Sequence, residues 1–374
     1  MTTSVPMNGH EKRVAIFTSN MGGGGAERAM LKLADGVAKR GYQVDLVLSR
    51  ADGDYLPEVP DAVRVVDLHA SRVLASLPGL VRYLRRERPT VMLTSLNHVN
   101  VVGLWARRLA GVRTRVVVNE QNTLSLEAPH SSRRRHRLVP RFVRRFYPWA
   151  DGIVAVSQGA ADDLARTAGI PADRIQVVHN PIVTPELGEL AAAPLEQPWF
   201  EPGEPPVVLA VGRLAPQKDF ATLIRAFELA RQERPARLLI LGEGPERPGL
   251  EALAADLDLG GSFDLPGRIL NPYPYMVRAG AFVLSSRWEG LPSVLIEALF
   301  CGVPIVATDC PSGPMEILEG GKYGLLVPVG DVGALAEGIV SALSGDVPRP
   351  TEASWQPYGQ DTVVELYVDV LVGG

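Results

Sequence analysis

Two basic side chains five positions apart mark the second half of the chain. Residues 212–219 read GRLAPQKD and follow residues 207–211, an apolar run that is typical of a buried strand. Arg213 and Lys218 lie on either side of the predicted turn, and a guanidinium fork with an ammonium group suits a diphosphate. Lys218 is also the only lysine between Lys39 and Lys322. The pair predicts an anion site at the carboxyl end of a strand, with a solvated turn as the alternative.

A second loop with polar side chains leads into a predicted helix. Residues 285–298 read SSRWEGLPSVLIEA. Pro292 suits the first helical turn and Ser293 suits a cap. The unpaired amides at such a helix start attract phosphate oxygens. This segment therefore predicts a second anion-binding element, close to the first.

The same segment carries two carboxylates around a glycine. Gly290 allows the backbone to approach a ligand closely, while Glu289 lies in the loop and Glu297 lies about one turn inside the helix. Carboxylates beside an anion site are expected to face neutral hydroxyl groups, such as those of a sugar or a ribose. For Glu297 the alternative is a partly exposed helix residue without a ligand.

A run of four glycines links the first predicted strand to the first predicted helix. Residues 21–28 read MGGGGAER, which permits a close ligand and exposes helix amides. No Gly-Lys-Ser/Thr follows, which excludes a P-loop, and the spacing is not that of a dinucleotide fingerprint. Alone, this loop indicates only that something binds near it.

The elements around these motifs alternate between strand and helix in both halves of the chain. This rhythm predicts an α/β fold with two open parallel sheets, whose ligands bind beyond the carboxyl ends of the strands. Pro and Glu dominate residues 181–206 without periodicity, which predicts a linker. The predicted strands are residues 13–19, 43–48, 63–67, 90–95, 115–119, 152–156, 175–178, 207–211, 237–241, 281–284, 304–308 and 324–327, and the clearest helices are residues 26–40, 220–233, 332–344 and 362–371.

Charge and length also favour two domains. A chain of 374 residues is comfortable for two domains, and its net charge of −4 conceals about +10 in residues 1–180 and about −14 in residues 181–374. Residues 1–12 do not resemble a signal peptide, and no apolar run is long enough to span a membrane. The two cysteines, Cys301 and Cys310, lack metal-ligand spacing. We therefore expect a cytoplasmic protein.

Together, these motifs resemble those of a known enzyme family. The chain resembles the family 4 retaining glycosyltransferases of the GT-B fold over nearly its whole length, most strongly in residues 208–331. The motifs that carry this resemblance are Arg-x4-Lys, Glu-x7-Glu and the His-Asn-Pro at residues 179–181. The resemblance implies two facing Rossmann-like domains. The N-terminal acceptor domain covers residues 1–183 and is rejoined by a C-terminal helix in residues 355–374. A linker, residues 184–206, leads to the donor domain, residues 207–354.

The resemblance also implies site residues. Arg213 and Lys218 are expected to hold the donor diphosphate, Glu289 the transferred sugar and Glu297 the ribose, with residues 265–268 near the base. Many family members carry a histidine where Glu120 follows the strand of residues 115–119, so we expect Glu120 to act at the reacting centre. The predicted donor-binding set is Gly24, Gly25, Arg213, Lys218, Arg268, Glu289, Gly290, Leu291, Pro292, Ser293 and Glu297; the predicted catalytic set is Glu289, Arg213, Lys218 and Glu120; and the predicted acceptor-binding residues are His98 and Asn122.

The implied mechanism is transfer from a nucleoside-diphosphate sugar, most simply a UDP-sugar, with attack on the face that the leaving group vacates. In this family Arg213 and Lys218 would neutralise the diphosphate, as a metal ion does in other glycosyltransferases, so we expect no metal or other cofactor. Asp52-Gly53-Asp54 resembles the metal motif of a different glycosyltransferase fold and is discounted.

The acceptor side is predicted from a basic amphipathic segment. Arg133 to Trp149 interleaves arginines with apolar residues, and residues 80–88 add four arginines. Such segments bind anionic membrane surfaces, which predicts peripheral attachment to the inner leaflet and a lipid-linked or polysaccharide acceptor. An ordinary solvated helix is the alternative, and the absence of a recognised module argues against nucleic acid. A nucleotide-sugar epimerase, a glycogen-synthase-like enzyme and a non-catalytic nucleotide-sugar sensor remain as alternative functions.

Overall fold

The computed structural model describes residues 13–22, 24–125 and 139–373. The first half of the chain forms one open sheet with helices on both faces. Its elements are β1 (Arg13–Thr18), α1 (Gly25–Lys39), β2 (Gln43–Leu48), β3 (Val63–Asp67), α2 (Leu77–Glu87), β4 (Val91–Ser95), α3 (Asn97–Ala110), β5 (Arg115–Glu120), α4 (Val139–Phe146), β6 (Gly152–Ala155), α5 (Gln158–Ala168) and β7 (Ile175–Val177). The strands are parallel, in the order β3-β2-β1-β4-β5-β6-β7.

The second half repeats this architecture. Its elements are α6 (Leu187–Ala191), β8 (Val207–Val211), α7 (Phe220–Glu233), β9 (Arg237–Leu241), α8 (Arg247–Asp256), β10 (Phe263–Gly267), α9 (Tyr273–Arg278), β11 (Ala281–Leu284), α10 (Ser293–Cys301), β12 (Ile305–Thr308), α11 (Pro314–Ile317), β13 (Leu325–Val327), α12 (Val332–Ser344), α13 (Glu352–Trp355) and α14 (Gln360–Val372). The parallel order is β10-β9-β8-β11-β12-β13. In each sheet the first strand has neighbours on both sides, so the strand order reverses beside it and leaves a crevice at the carboxyl ends.

Apolar strands explain why both sheets are covered on both faces. Residues 14–17 of β1 and residues 208–210 of β8 are completely buried, as uninterrupted aliphatic runs in parallel sheets are expected to be. An apolar cluster lies on each face of each sheet. The predicted fold class, two Rossmann-like α/β units, is confirmed.

The last helix returns to the first domain. Gly36 on α1 leaves room for α14, since an added Cβ there would lie 2.5 Å from Val364 Cγ2. Tyr367 is fully buried, and Asn119 Nδ2 donates a hydrogen bond of 2.8 Å to its hydroxyl oxygen. The predicted return of the C-terminal helix is therefore confirmed, and β5 contacts that helix directly.

Two local elements differ from the sequence-based prediction. Strand β10 was missed because it has five residues, lies at a sheet edge and includes Pro266, which removes a ladder donor. The predicted linker contains the short helix α6, which packs against α9. The exact domain boundaries stay a prediction.

Candidate active site between the two sheets

The best-defined part of the cleft is a buried ion pair. Lys218 Nζ lies 2.6 Å from Glu289 Oε1, and both side chains are largely buried. Ser286 Oγ donates to the same carboxylate oxygen at 2.6 Å, and Gln217 Nε2 lies 3.3 Å from Oε2. Both carboxylate oxygens of Glu289 are therefore engaged, which fixes the side chain at the carboxyl ends of β8 and β11.

Arg213 has a different environment from Lys218. Its side chain is exposed, and no hydrogen bond or ion pair joins it to the described part of the chain. Arg287 donates two hydrogen bonds to Asp219, at 2.9 and 3.2 Å, which secures the turn that carries Lys218. The structure therefore places one fixed cation and one uncommitted cation at the predicted anion site.

Two helix N-termini face each other across the cleft. Helix α10 begins at Ser293 and α1 begins at Gly25, and a Cβ added to Gly25 would lie 2.9 Å from Ser293 Oγ. The helix caps are Pro292 and Gly24, so the expectation that Ser293 is the cap was wrong. The side chain of Leu291 is buried in the core, which leaves only its backbone for a ligand. Two positive helix ends at one place favour an anion between them.

Gly290 forms the contact between the domains beside this point. A Cβ on Gly290 would lie 2.2 Å from the carbonyl oxygen of Gln121 in the first domain, a distance that no side chain tolerates. Thr123 Oγ1 donates to the carbonyl of Glu289 at 2.5 Å, and Ser157 Oγ donates to that of Gly290 at 2.9 Å. The chain that follows β5 is thus held against the Glu289 loop.

Glu297 is buried rather than partly exposed, and its partners come from both domains. Arg28 Nη1 on α1 lies 3.3 Å from Glu297 Oε1, and the hydroxyl of Tyr273 donates to the same oxygen at 3.0 Å. The Arg28 guanidinium also lies 5.8 Å from the ring centre of Tyr55 and 5.7 Å from that of Tyr273. Burial, and then the Glu297 carboxylate, raises the pKa of Tyr273, so its hydroxyl remains a donor. Sequence reasoning missed Arg28 and both tyrosines; the position of Arg28 in the first turn after the glycines was the available signal.

Arg268 makes a second contact across the cleft. It forms an ion pair with Asp54 of the first domain, and its guanidinium lies 6.0 Å from the ring centre of Tyr55. Gly53 has a φ of +115°, and a Cβ on it would lie 2.2 Å from the carbonyl carbon of Met21. The Asp-Gly-Asp turn therefore supports the glycine loop and binds an arginine of the second domain.

Glu120 ends β5 and is 1% exposed. The hydroxyl of Tyr147 donates a hydrogen bond of 2.7 Å to its Oε2. Because Gln121 follows directly and contacts Gly290, Glu120 lies in the same region of the cleft as the Glu289 loop. Tyr147 was not recognised from the sequence, since nothing in the spacing of the two residues indicates their contact.

The two predicted acceptor-side residues differ in their surroundings. Asn122 lies at the domain contact, because a Cβ on Gly290 would be 3.2 Å from its Cα. His98 is exposed in the first turn of α3, which follows β4 at the same edge of the sheet. The structure therefore brings Asn122 to the Glu289 loop and leaves His98 at the solvent side of the cleft.

Within the described residues, no three His, Cys, Asp or Glu side chains gather as ligands of one metal ion. None of the helices in the same ranges has both the length and the apolar character that a membrane span needs.

Comparison with known proteins then decides the family. The Glycosyltransferase Family 4 model matches residues 23–186, and the model Glycosyl transferases group 1 matches residues 194–362. The chain is 31% identical to an N-acetylgalactosamine-N,N'-diacetylbacillosaminyl-diphospho-undecaprenol 4-alpha-N-acetylgalactosaminyltransferase of Campylobacter jejuni, over 90% of this chain and 91% of that protein. This chain belongs to the family 4 glycosyltransferases. It is also 26% identical to the lipopolysaccharide core biosynthesis glycosyltransferase LpsE of Rhizobium meliloti, over 93% and 96% of the two chains.

The family 4 glycosyltransferase fold is also seen in solved structures. Anabaena HepE, determined in complex with UDP and glucose, superimposes with a TM-score of 0.76 at 21% identity, over 96% of this chain and 98% of HepE. The predicted GT-B arrangement is therefore confirmed. The roles of individual residues in this glycosyltransferase remain predictions. Two parts of the predicted features lie outside the described residues: Gly23 of the glycine loop, and residues 133–138 of the basic segment that runs from Arg133 to Trp149.

Proposed function

We propose that this glycosyltransferase moves a sugar, with retention of configuration, from a UDP-sugar to a lipid-linked or polysaccharide acceptor. The observation that carries the proposal is the meeting of the α1 and α10 N-termini, beside the Lys218–Glu289 pair. A diphosphate between two helix starts receives backbone amides from both domains, and the sugar attached to it then lies beside Glu289.

The leaving group is stabilised by groups that are already in place. Charge develops on the departing phosphate, and the uncommitted Arg213 together with Lys218 and the helix amides are positioned to receive it. One preorganised donor of this kind is typically worth about 10²–10³ in rate. The reaction in this proposal therefore requires no metal ion and no other cofactor.

The surroundings of Glu289 favour same-face attack over a covalent intermediate. Lys218 and Ser286 both donate to Oε1, and Gln217 approaches Oε2, so three donors already face the roughly four lone-pair sites of this carboxylate. A carboxylate so engaged is a weak nucleophile. The acceptor hydroxyl attacks from the side of the leaving phosphate, which takes its proton.

The nature of the acceptor is supported by the relatives. The C. jejuni protein is named for an acceptor on diphospho-undecaprenol, and the R. meliloti protein for lipopolysaccharide core biosynthesis. By extension, the acceptor of this chain is an envelope glycan, carried by a lipid or already polymerised.

A basic face on the first domain suits an anionic membrane surface. Helices α2 and α4 both pack on α3. A groove of about 450 Å³ on α2 is lined by Pro78, Val81, Arg82, Arg85 and Arg86. On α4 the exposed side chains are Arg141, Phe142, Arg144 and Arg145. Exposed arginines around an apolar ring suit peripheral attachment to an anionic leaflet, and each basic residue near such a surface contributes about 1 kcal/mol.

Transfer is tested by incubating the protein with UDP-glucose, UDP-galactose, UDP-GlcNAc or UDP-GalNAc and undecaprenyl-diphosphate-linked saccharides. Mass spectrometry should show acceptor lengthened by one hexose or N-acetylhexosamine, also in the presence of EDTA. Free epimerised sugar without lengthened acceptor indicates an epimerase instead, and nucleotide-sugar binding without turnover indicates a sensor. Loss of transfer with EDTA contradicts the metal-independent mechanism.

Membrane attachment is tested by co-sedimentation with vesicles of phosphatidylglycerol and phosphatidylcholine. Binding should require the anionic lipid and fall steeply between low salt and about 0.5 M salt. Replacing Arg141, Arg144 and Arg145 with glutamine should weaken it. Equal binding to pure phosphatidylcholine contradicts the electrostatic part of the proposal.

A further inference from the structure

The Glu120 carboxylate is the end of a chain of buried hydrogen bonds. Thr94, Asn100 and Tyr147 are completely buried, and Glu120 is 1% exposed. Thr94 Oγ1 lies 2.7 Å from Asn100 Oδ1, Asn100 Nδ2 lies 2.8 Å from the Tyr147 hydroxyl, and that hydroxyl lies 2.7 Å from Glu120 Oε2. The chain therefore runs from β4 through α3 to the carboxyl end of β5.

The direction of these hydrogen bonds is fixed by one backbone carbonyl. The carbonyl oxygen of Asn119 can only accept, and it lies 2.9 Å from Asn100 Nδ2. The amide group of Asn100 must therefore turn its nitrogen toward Asn119 and its oxygen toward Thr94. The second hydrogen of that nitrogen points at the hydroxyl oxygen of Tyr147.

It follows that Tyr147 donates to Glu120. Its oxygen accepts from Asn100, and its single hydrogen is directed to Glu120 Oε2. The backbone contact to Asn119 thus sets an order in which each group gives a hydrogen to the next, and Glu120 Oε2 is an acceptor. A buried hydrogen-bonded network of this kind holds a side chain in one rotamer.

We propose that Tyr147 and Asn100 are positioning residues that orient the Glu120 carboxylate toward the reacting centre of the cleft. The inference rests on the proposed function and on the expectation, implied by the family resemblance, that Glu120 acts at that centre. Neither residue touches the substrate; both act through Glu120.

The position of Tyr147 links this network to the acceptor side. Tyr147 follows α4 directly, in a short 3₁₀ turn of residues 147–149. Phe146 packs edge-on against Trp105 of α3, with ring centres 5.1 Å apart, and against Trp149 at 5.0 Å. The placement of the basic helix α4 on α3 therefore also determines where the Tyr147 hydroxyl meets Glu120.

The central variant is Tyr147→Phe, which removes the hydroxyl and keeps the ring in the core. Misplacement of a reacting group by about 1 Å costs on the order of 10²-fold in rate, so we expect kcat to fall about 10- to 100-fold. The KM for the donor should change less than about twofold. The readout is UDP released from the four UDP-sugars named above, with lipid-linked saccharide present.

A matched control exists in the same domain. Tyr83 is also buried, and its hydroxyl donates to Asp45 Oδ2 at 2.6 Å, but this carboxylate is bound by Arg13 and Arg64 away from the cleft. Tyr83→Phe should lower the urea midpoint of unfolding as Tyr147→Phe does, and it should leave kcat unchanged. Equal losses of kcat in both variants overturn the positioning role, because a general loss of stability then explains them.

A double-mutant cycle separates positioning from other effects. In the Glu120→Gln background, adding Tyr147→Phe should change kcat less than twofold, since the hydroxyl acts only through the carboxylate. Asn100→Ala should reduce kcat less than Tyr147→Phe does. Equal losses from Tyr147→Phe in the wild-type background and in the Glu120→Gln background overturn the inference.

The remaining outcomes distinguish the inference from the proposed function. If wild-type protein releases UDP but Glu120→Gln does so equally fast, the inference fails and glycosyl transfer stands. If Glu120→Gln is impaired and Tyr147→Phe is not, only the positioning role fails. If wild type releases UDP from none of the donors, the proposed function fails and the inference falls with it.

Discussion

Arg28 Nη1 and Glu297 Oε1 lie 3.3 Å apart, and this contact joins α1 of the first domain to α10 of the second. The Glu297 side chain is 5% exposed and that of Arg28 is 21% exposed. The family resemblance implies that Glu297 contacts the donor ribose, and this role stays a prediction. The structure shows that the position of Glu297 depends on the other domain as well.

Arg28→Met should lower the free energy of unfolding by about 1–3 kcal/mol, because a buried carboxylate then loses a charged partner. Urea unfolding measures this loss. Arg225→Met is the matched control, since Arg225 is exposed on α7 and makes no ion pair within the described residues. Equal stability of the two variants contradicts a cross-domain contribution from Arg28.

Gly290→Ala should reduce transfer at least tenfold and lower the thermal midpoint. Its Cβ meets a backbone oxygen at 2.2 Å, so the two domains must separate to admit it. Gly249→Ala on α8 is the control, because nothing lies within 4 Å of its Cβ and alanine favours a helix by about 1 kcal/mol. Wild-type activity in Gly290→Ala contradicts the close contact at the Glu289 loop.

Lys218→Met should lower kcat by about 10²–10³, the typical effect of one preorganised donor at a developing charge. Lys322→Met removes an exposed lysine whose partner is Glu319, and it should have no effect. Steady-state UDP release compares the two. A loss confined to KM indicates that Lys218 contributes equally to the ground state and the transition state.

The stability of the protein should depend on pH through Lys32. Burial lowers the pKa of Lys32 to about 8, whereas an unfolded lysine titrates near 10.4. Between these values the unfolded chain holds the additional proton, so the free energy of unfolding rises with pH. The penalty for burying the charge is complete below about pH 8 and is relieved as the pH approaches 10.

Urea unfolding of wild type and Lys32→Met at pH 7.5, 8.5 and 9.5 measures this effect. Relative to the variant, wild type should gain about 2 kcal/mol of stability between pH 7.5 and 9.5. A constant difference between the two proteins contradicts the lowered pKa of Lys32.

The fold was predictable where local pattern determines it. Apolar runs such as residues 207–211 and 237–241 match their strands to the residue, because a strand that is buried on both faces consists almost entirely of apolar residues. The edge strand β10 was missed, since edge strands tolerate proline and need no long apolar run.

The positions of the charged motif residues were predictable for a related reason. Arg213, Lys218, Glu289 and Glu297 lie in short motifs that follow strands, which places them near the carboxyl ends of the second sheet; their roles toward a donor are implied by the family resemblance and stay predictions. Arg28, Tyr55 and Tyr147 were not predictable, because their contacts join residues from distant parts of the chain, and no sequence period records such contacts.

The central claim is that the meeting point of the two domains binds a nucleoside diphosphate through Arg213 and Lys218. Isothermal calorimetry with UDP, GDP and NADH, on wild type and on the double variant Arg213→Ala/Lys218→Ala, tests it most directly. The account predicts that UDP binds to wild type, and that the double variant loses several kcal/mol of binding, since a charged hydrogen bond contributes about 1.5–3 kcal/mol. Binding of NADH but of neither nucleoside diphosphate, or equal UDP affinity in both proteins, contradicts it.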